Sequence, residues 1–125
     1  MEGATLGLRY GLEILKRQGI AAKEIRLVGG GAKSGIWRRI AADAFGCPVV
    51  CPASPEAAAM GGVLQAMWCY AKAKGNPITL KELTAKYIKL DAATRVLPNK
   101  KAAQQYDALY ERYTAFNSVM AKYWK

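Results

Sequence analysis

The sequence predicts an α/β chain with two short parallel strands and about five helices. Three observations carry this. Helical and extended patterns alternate along the first 75 residues, a glycine triplet follows directly on the first extended segment, and prolines bracket the second.

From Glu2 to Gln18, Thr5, Leu8, Leu12 and Leu15 recur at spacings of three and four, the apolar stripe of a helix that Gly19 can end. Glu24 to Val28 is short and contains β-branched residues, and it runs into Gly29-Gly30-Gly31, so a strand closing in a tight turn is expected. A second helix follows from Gly35 to Phe45, capped by Ser34, with Ile36, Trp37, Ile40, Ala41 and Ala44 as its packing face. Gly46 closes it, and Pro48 to Pro52 forms the second strand.

Ser54-Pro55-Glu56 then combines a cap, a proline at the first helical position and an acid at the positive end of the helix dipole. The third helix runs from there to Ala73 and stops at Gly75-Asn76-Pro77. Thr79 and Glu82 have the spacing of a capping box for a short helix from Leu80 to Tyr87. Leu90 to Asn99 reads mostly as loop. A long helix from Lys101 to Tyr123 closes the chain, with Tyr106, Leu109, Tyr110, Tyr113, Phe116 and Met120 on one packing face. Two parallel strands make a poor sheet alone, because parallel strands are normally buried on both faces. The pattern therefore reads as one end of a larger sheet.

The chain has 125 residues, 52% hydrophobic and 22% charged, which fits one globular unit. No apolar stretch reaches the roughly 20 residues of a membrane span, so a soluble, cytoplasmic protein without a targeting segment or membrane partner is expected. Lysine and arginine outnumber acids 19 to 9, for a formal net charge of +10. Those charges are scattered and interleaved with acids such as Glu13, Glu24, Asp43, Glu82 and Glu111, without a dense basic run. That distribution argues against a nucleic-acid partner and suits an anionic small ligand.

Cys47, Cys51 and Cys69 are expected to be buried, inert thiols of a reducing compartment, and no metal site is expected in a chain without histidine. On an extended strand Cys47 and Cys51 would stand about 13 Å apart at ~3.3 Å per residue, too far to bond or to share a metal.

Two segments carry candidate chemistry. Gly29-Gly30-Gly31-Ala32-Lys33-Ser34 lies between a predicted strand and a predicted helix, where bare backbone can approach a nucleotide. Its spacing fits neither a Walker A loop nor a Rossmann fingerprint, and a merely tight turn would have the same composition. The second is Glu56-Ala57-Ala58-Ala59-Met60-Gly61-Gly62. Each glycine inside a helix costs about 1 kcal/mol relative to alanine, which either close helix packing or contact with a flat ligand would offset.

Together, Ile25 to Ser34 with Trp37 and Ala42-Asp43 resembles the adenosine motif of the FGGY carbohydrate kinases. Met1 to Thr5, Gly46 to Val49 and the Glu56 to Gly62 helix are similar to further segments of that family, and Tyr106 to Tyr113 resembles the final helix of its xylulokinases. Some relatives, notably glycerol kinases, carry asparagines just after the glycine motif, whereas Gly35 and Ile36 stand here, a departure that points toward the pentulose kinases.

The resemblance implies part of an actin-like, ribonuclease H-like ATPase domain using ATP with Mg²⁺. Residues 1–125 would be the C-terminal portion of the nucleotide-side domain, with the N-terminal sugar and catalytic domain absent. Gly29, Gly30, Gly31, Ala32 and Lys33 would lie by the nucleotide, Ser34 would cap the next helix, and Met60 and Gly61 would line the adenine pocket. Lys33 could attract phosphate or simply be solvated.

Nothing matches the family's phosphate loops, sugar-binding segments or catalytic aspartate, so no catalytic residue is assigned and the chain alone is expected to be inactive. Its expected partners are ATP and ADP, with the sugar held through the missing domain. A different reading is a non-catalytic module that self-associates through its sheet edge or C-terminal helix.

Overall fold

Helices and strands alternate as α1 (Glu2–Arg17), β1 (Ile25–Arg26), α2 (Gly35–Phe45), β2 (Val49–Pro52), α3 (Ala57–Ala73), α4 (Leu80–Tyr87), β3 (Leu90–Val96) and α5 (Lys100–Met120). Short 3₁₀ turns stand at Gly30–Lys33 and Ala121–Tyr123. The computed structural model describes residues 1–54, 56–76 and 78–123.

β1 and β2 pair in parallel, Ile25 with Val49 and Arg26 with Val50. The regular part of β1 is shorter than the expected Glu24 to Val28, although Ile25 donates to the Pro48 carbonyl at 2.8 Å and Leu27 to Val50 at 2.9 Å. β3 is a correction, because Leu90 to Val96 is not loop but an antiparallel third strand on the far side of β2. Polar Asp91 and Thr94 obscure it in the sequence. The pairing explains both: the register is irregular between Val49 and Cys51, and there the Thr94 hydroxyl accepts the Cys51 amide at 2.9 Å in place of a backbone carbonyl.

Val49 and Val50 are wholly buried at the centre of this sheet, and Ala41, Ala42 and Ala44 of α2 are equally inaccessible. Small side chains let α2 lie close on the strands while α1 and α5 cover it from the other side. Four consecutive residues, Ala41 to Ala44, are therefore buried. Ile36, assigned to the packing face by periodicity, is 72% exposed, while Trp37 on the same turn is the residue that packs against Thr5 of α1.

The stripe of α1 is likewise displaced. Thr5 and Leu6 are buried, whereas Leu8 and Leu15 are exposed, so the covered face of α1 is turned away from the Leu8 and Leu15 side of the predicted stripe. Against that part of α1, the α5 tyrosines pack as expected. Tyr106 donates its hydroxyl to Glu2 at 2.7 Å, and burial followed by this bond raises its pKa to about 12. The Arg9 guanidinium lies 4.6 Å from the Tyr110 ring centre and pairs with Asp107 at 2.5 Å. Phe116 departs from the predicted face and is exposed.

The helix ends follow their local chemistry with one shift. Thr79 and Glu82 form the expected reciprocal box at the start of α4. Gly46 ends α2 in the left-handed conformation at φ 61°. α3, however, begins at Ala57 with Glu56 in the capping position, so Ser54 is not its cap. Pro55 lies outside the described residues, as does Pro77 beyond the end of α3.

α5 is started by Asn99, whose side chain accepts the Lys101 amide at 3.0 Å and the Ala102 amide at 3.1 Å. Asn99→Ala is expected to lower stability by about 1 kcal/mol, measured as a shift of the urea midpoint at unchanged slope, with Asn99→Asp close to neutral.

Candidate functional site

Both candidate segments emerge at the same end of the parallel pair. After Leu27 the chain leaves the ladder, and Gly29 turns it at φ 86° and ψ −178°. An L side chain would be strained there. The Gly30–Lys33 turn follows, with Ala32 donating to the Gly29 carbonyl at 3.1 Å and Ser34 to Gly31 at 3.0 Å. Ser34 then caps α2 as expected, accepting the Trp37 amide at 3.3 Å.

The three glycines have different physical reasons. Gly29 is needed for its conformation. Gly31 is needed for space, because a Cβ there would stand 2.5 Å from Trp37 Cζ3 and 2.6 Å from Cε3. Gly30 has neither constraint: its φ is not positive and no atom lies within 4 Å of where its Cβ would be.

Beside the turn is a cavity of about 250 Å³, lined on one side by Leu27, Val28, Gly29, Ala32, Lys33 and Arg38, and floored by Cys51 and Thr94. A second, of about 220 Å³, is lined by Ala57 and Met60 of α3, by Tyr87 at the end of α4 and by Ile88 and Lys89 beyond it. Pro52, Ala53 and Ser54 line both, so the two compartments adjoin across the carboxyl end of β2.

The structure thus brings Gly29, Ala32 and Lys33 to one compartment and Met60 to its neighbour. Gly30, Gly31, Ser34 and Gly61 line neither. Gly61 and Gly62 are exposed, and among the described residues nothing approaches within 4 Å of a Cβ built at either.

The compartments differ in chemistry. The first carries the two cations Lys33 and Arg38, the second carries Lys89 among mostly apolar residues, and among the described residues no acid lines either. Arg38, Tyr87 and Thr94 were not singled out from the sequence. For Arg38 the signal was available, since a residue four beyond the cap of a helix lies beneath the turn that precedes it. Its Nη1 donates to the Ala32 carbonyl at 2.7 Å and to Lys33 at 3.3 Å.

All three aspartates are engaged away from the cavities. Asp43 accepts the Asn99 amide at 2.7 Å, Asp91 the Ala93 amide at 3.0 Å, and Asp107 pairs with Arg9. Among the described residues no three of His, Cys, Asp or Glu gather as a metal site, and no helix is long and apolar enough to cross a membrane.

Cys47 and Cys51 are buried, and burial, then the charge of Glu24, pushes the Cys47 thiol up and keeps it protonated. Cys69 is exposed, contrary to expectation, because α3 buries only Leu64.

The sequence profile of the C-terminal domain of the FGGY family of carbohydrate kinases matches residues 1–70. A xylulose kinase of Haemophilus influenzae is 44% identical over 113 residues, 90% of this chain and 22% of that relative. Among solved structures, xylulose kinase from Rhodospirillum rubrum superposes with a TM-score of 0.76 at 25% identity, over 98% of this chain and 24% of its own. Gluconate kinase from Lactobacillus acidophilus does so at 0.80 and 26% identity, over 96% and 23%.

The chain spans about a fifth of the length of these relatives. Its mixed α/β architecture is that part of the actin-like ATPase fold. The glycine turn, the parallel pair it follows and the matching profile agree: the chain belongs to the FGGY family of carbohydrate kinases.

Proposed function

We propose that residues 1–125 supply the nucleotide-side, C-terminal portion of an ATP-dependent sugar kinase of the cytoplasm, most like a xylulokinase. The intact protein would transfer the terminal phosphoryl group of ATP to D-xylulose, giving D-xylulose 5-phosphate and ADP. The single observation that carries this reading is the pair of adjoining compartments, one cationic beside the glycine turn and one apolar beside Met60.

An apolar slot suits a purine, and a cationic rim with bare backbone suits phosphates. Met60, Ala57 and Tyr87 would hold the base. Gly29, which lines the first compartment, would let the phosphates approach the main chain there and run on past Gly30 just outside it, and Lys33 and Arg38 would balance their charge. ATP itself supplies the phosphoryl group. These residues bind and orient it.

Mg²⁺ does not fit the residues present, because among the described residues no carboxylate lines either compartment. A base for the sugar hydroxyl is equally lacking, with Asp43, Asp91 and Asp107 all committed to structural partners. Phosphoryl transfer needs both charge stabilisation and a positioned acceptor. The remaining four-fifths of a kinase chain would have to provide them, together with the sugar site.

D-xylulose as substrate is supported by the named function of the Haemophilus relative. The fold does not choose the sugar, since a gluconate kinase shares it equally well. The cytoplasmic assignment is supported by three unpaired cysteines, the state a reducing compartment maintains.

Two measurements test the reading. Incubated with ATP and pentuloses, the chain is expected to show no turnover, and robust activity would refute the partial-site reading. Gly30→Ala should weaken ADP binding about tenfold or more, while stability stays within about 0.5 kcal/mol because the new methyl enters open space. Unchanged ADP affinity would remove the turn from the site.

A second reading is favoured by exposed apolar residues on α3 and α5, including Val63, Tyr70, Phe116 and Val119. Such surfaces serve self-association in a non-catalytic module. Tight dimerisation in the ultracentrifuge together with no ADP binding would establish it in place of the first.

A further inference from the structure

The glycine turn is held from two sides by successive residues of α2. On one side the Trp37 ring occupies the space a Gly31 side chain would need, 2.5 Å from Cζ3 to the position of a Cβ. That ring is fixed in turn: its Nε1–H donates to the Thr5 hydroxyl oxygen at 3.0 Å. Thr5 is 0% exposed and donates its own proton to the Met1 carbonyl at 3.0 Å. On the other side Arg38 donates to the Ala32 and Lys33 carbonyls.

We propose that Thr5, Trp37 and Arg38 form a clamp that presets the glycine turn for the nucleotide, with Thr5 a positioning residue acting through Trp37. The inference rests on the nucleotide reading of the turn. A turn rich in glycine loses more conformational freedom on ordering than any other. A ligand that had to order it would bind more weakly by that amount, and a turn already held by its own scaffold avoids the loss. Arg38 lines the cationic compartment and can touch a ligand directly. Thr5 lines neither compartment, so it acts on binding at a distance, through the ring it anchors.

The test follows amide exchange across residues 30–34 and, separately, ADP titration, in the unsubstituted chain, Thr5→Val, Trp37→Phe and the double variant. Thr5→Val keeps the volume and removes the acceptor. Exchange in the turn should accelerate about tenfold and ADP affinity should fall by about three- to tenfold, the scale of one net hydrogen bond. In the Trp37→Phe background, which lacks the indole donor, Thr5→Val should add nothing further.

Unchanged exchange in both single variants overturns the clamp whatever the nucleotide does. A loosened turn with unchanged ADP affinity overturns the positioning role. A turn loosened by Thr5→Val in a chain that binds no ADP supports the clamp and overturns the nucleotide reading instead. Should Thr5→Val fail to fold, Trp37→Phe carries the same two measurements.

Discussion

Gly31→Ala is expected to lower stability by about 1–3 kcal/mol, the range for overpacking a filled site, and to eliminate detectable ADP binding. The added methyl would lie 2.5 and 2.6 Å from two carbons of Trp37. No flexible chain end is there to yield, because the obstacle is an aromatic ring bonded through its nitrogen to Thr5. Either the ring or the turn must move, and both belong to the proposed site. The urea midpoint reports the first effect and a calorimetric titration the second. Full stability with undiminished affinity would show that the Trp37 contact does not constrain the turn in solution. Comparison with Gly30→Ala is informative, since that methyl meets nothing and its effect should fall on binding alone.

Val49→Ala is expected to cost about 2–3 kcal/mol, because a fully buried side chain lost from a packed core leaves a cavity that relaxes only in part. Val49 is central in every direction. It pairs with Ile25 on one side and Val96 on the other, at 0% exposure, and belongs to the cluster of Leu27, Ala32, Ala41, Ala42 and Cys51 beneath the glycine turn. The same substitution at Val63 of α3, which is 55% exposed, should shift the midpoint by no more than about 0.5 kcal/mol. Equal losses at the two positions would mean that the chain in solution buries α3 against something, and would favour the self-association reading.

Much of the framework was legible because it depends on a few neighbouring residues. The limits of α2 match expectation to the residue, since Ser34 at the start and a left-handed Gly46 at the end act within one turn of helix. The Thr79 and Glu82 box is equally local. β3 was not legible. Asp91 and Thr94 interrupt its apolar pattern, and it becomes a strand only because the wholly buried β2 offers it an edge and the Thr94 hydroxyl completes an irregular ladder. The stripes of α1 and α2 show the same limit. Periodicity identifies an apolar face without saying which sides of the helix other elements cover, which is why Ile36 and Leu8 are exposed while Thr5 and Asp43 are buried.

For the candidate site the division is sharper. From the sequence by itself came the family resemblance, the strand, turn and helix order around Gly29-Gly30-Gly31, and the caps that position it, because composition and short spacing suffice for these. Tertiary structure decided which glycine is free: Gly31 is spoken for by Trp37, Gly29 by its own backbone angle, and only Gly30 is left open. It also decided that Met60 lines a compartment adjoining that of Lys33, and that Thr5 anchors the Trp37 ring against the turn. These contacts join residues far apart in the chain, and they are set by how α1 packs on α2 and α3 on α4, which no local pattern encodes.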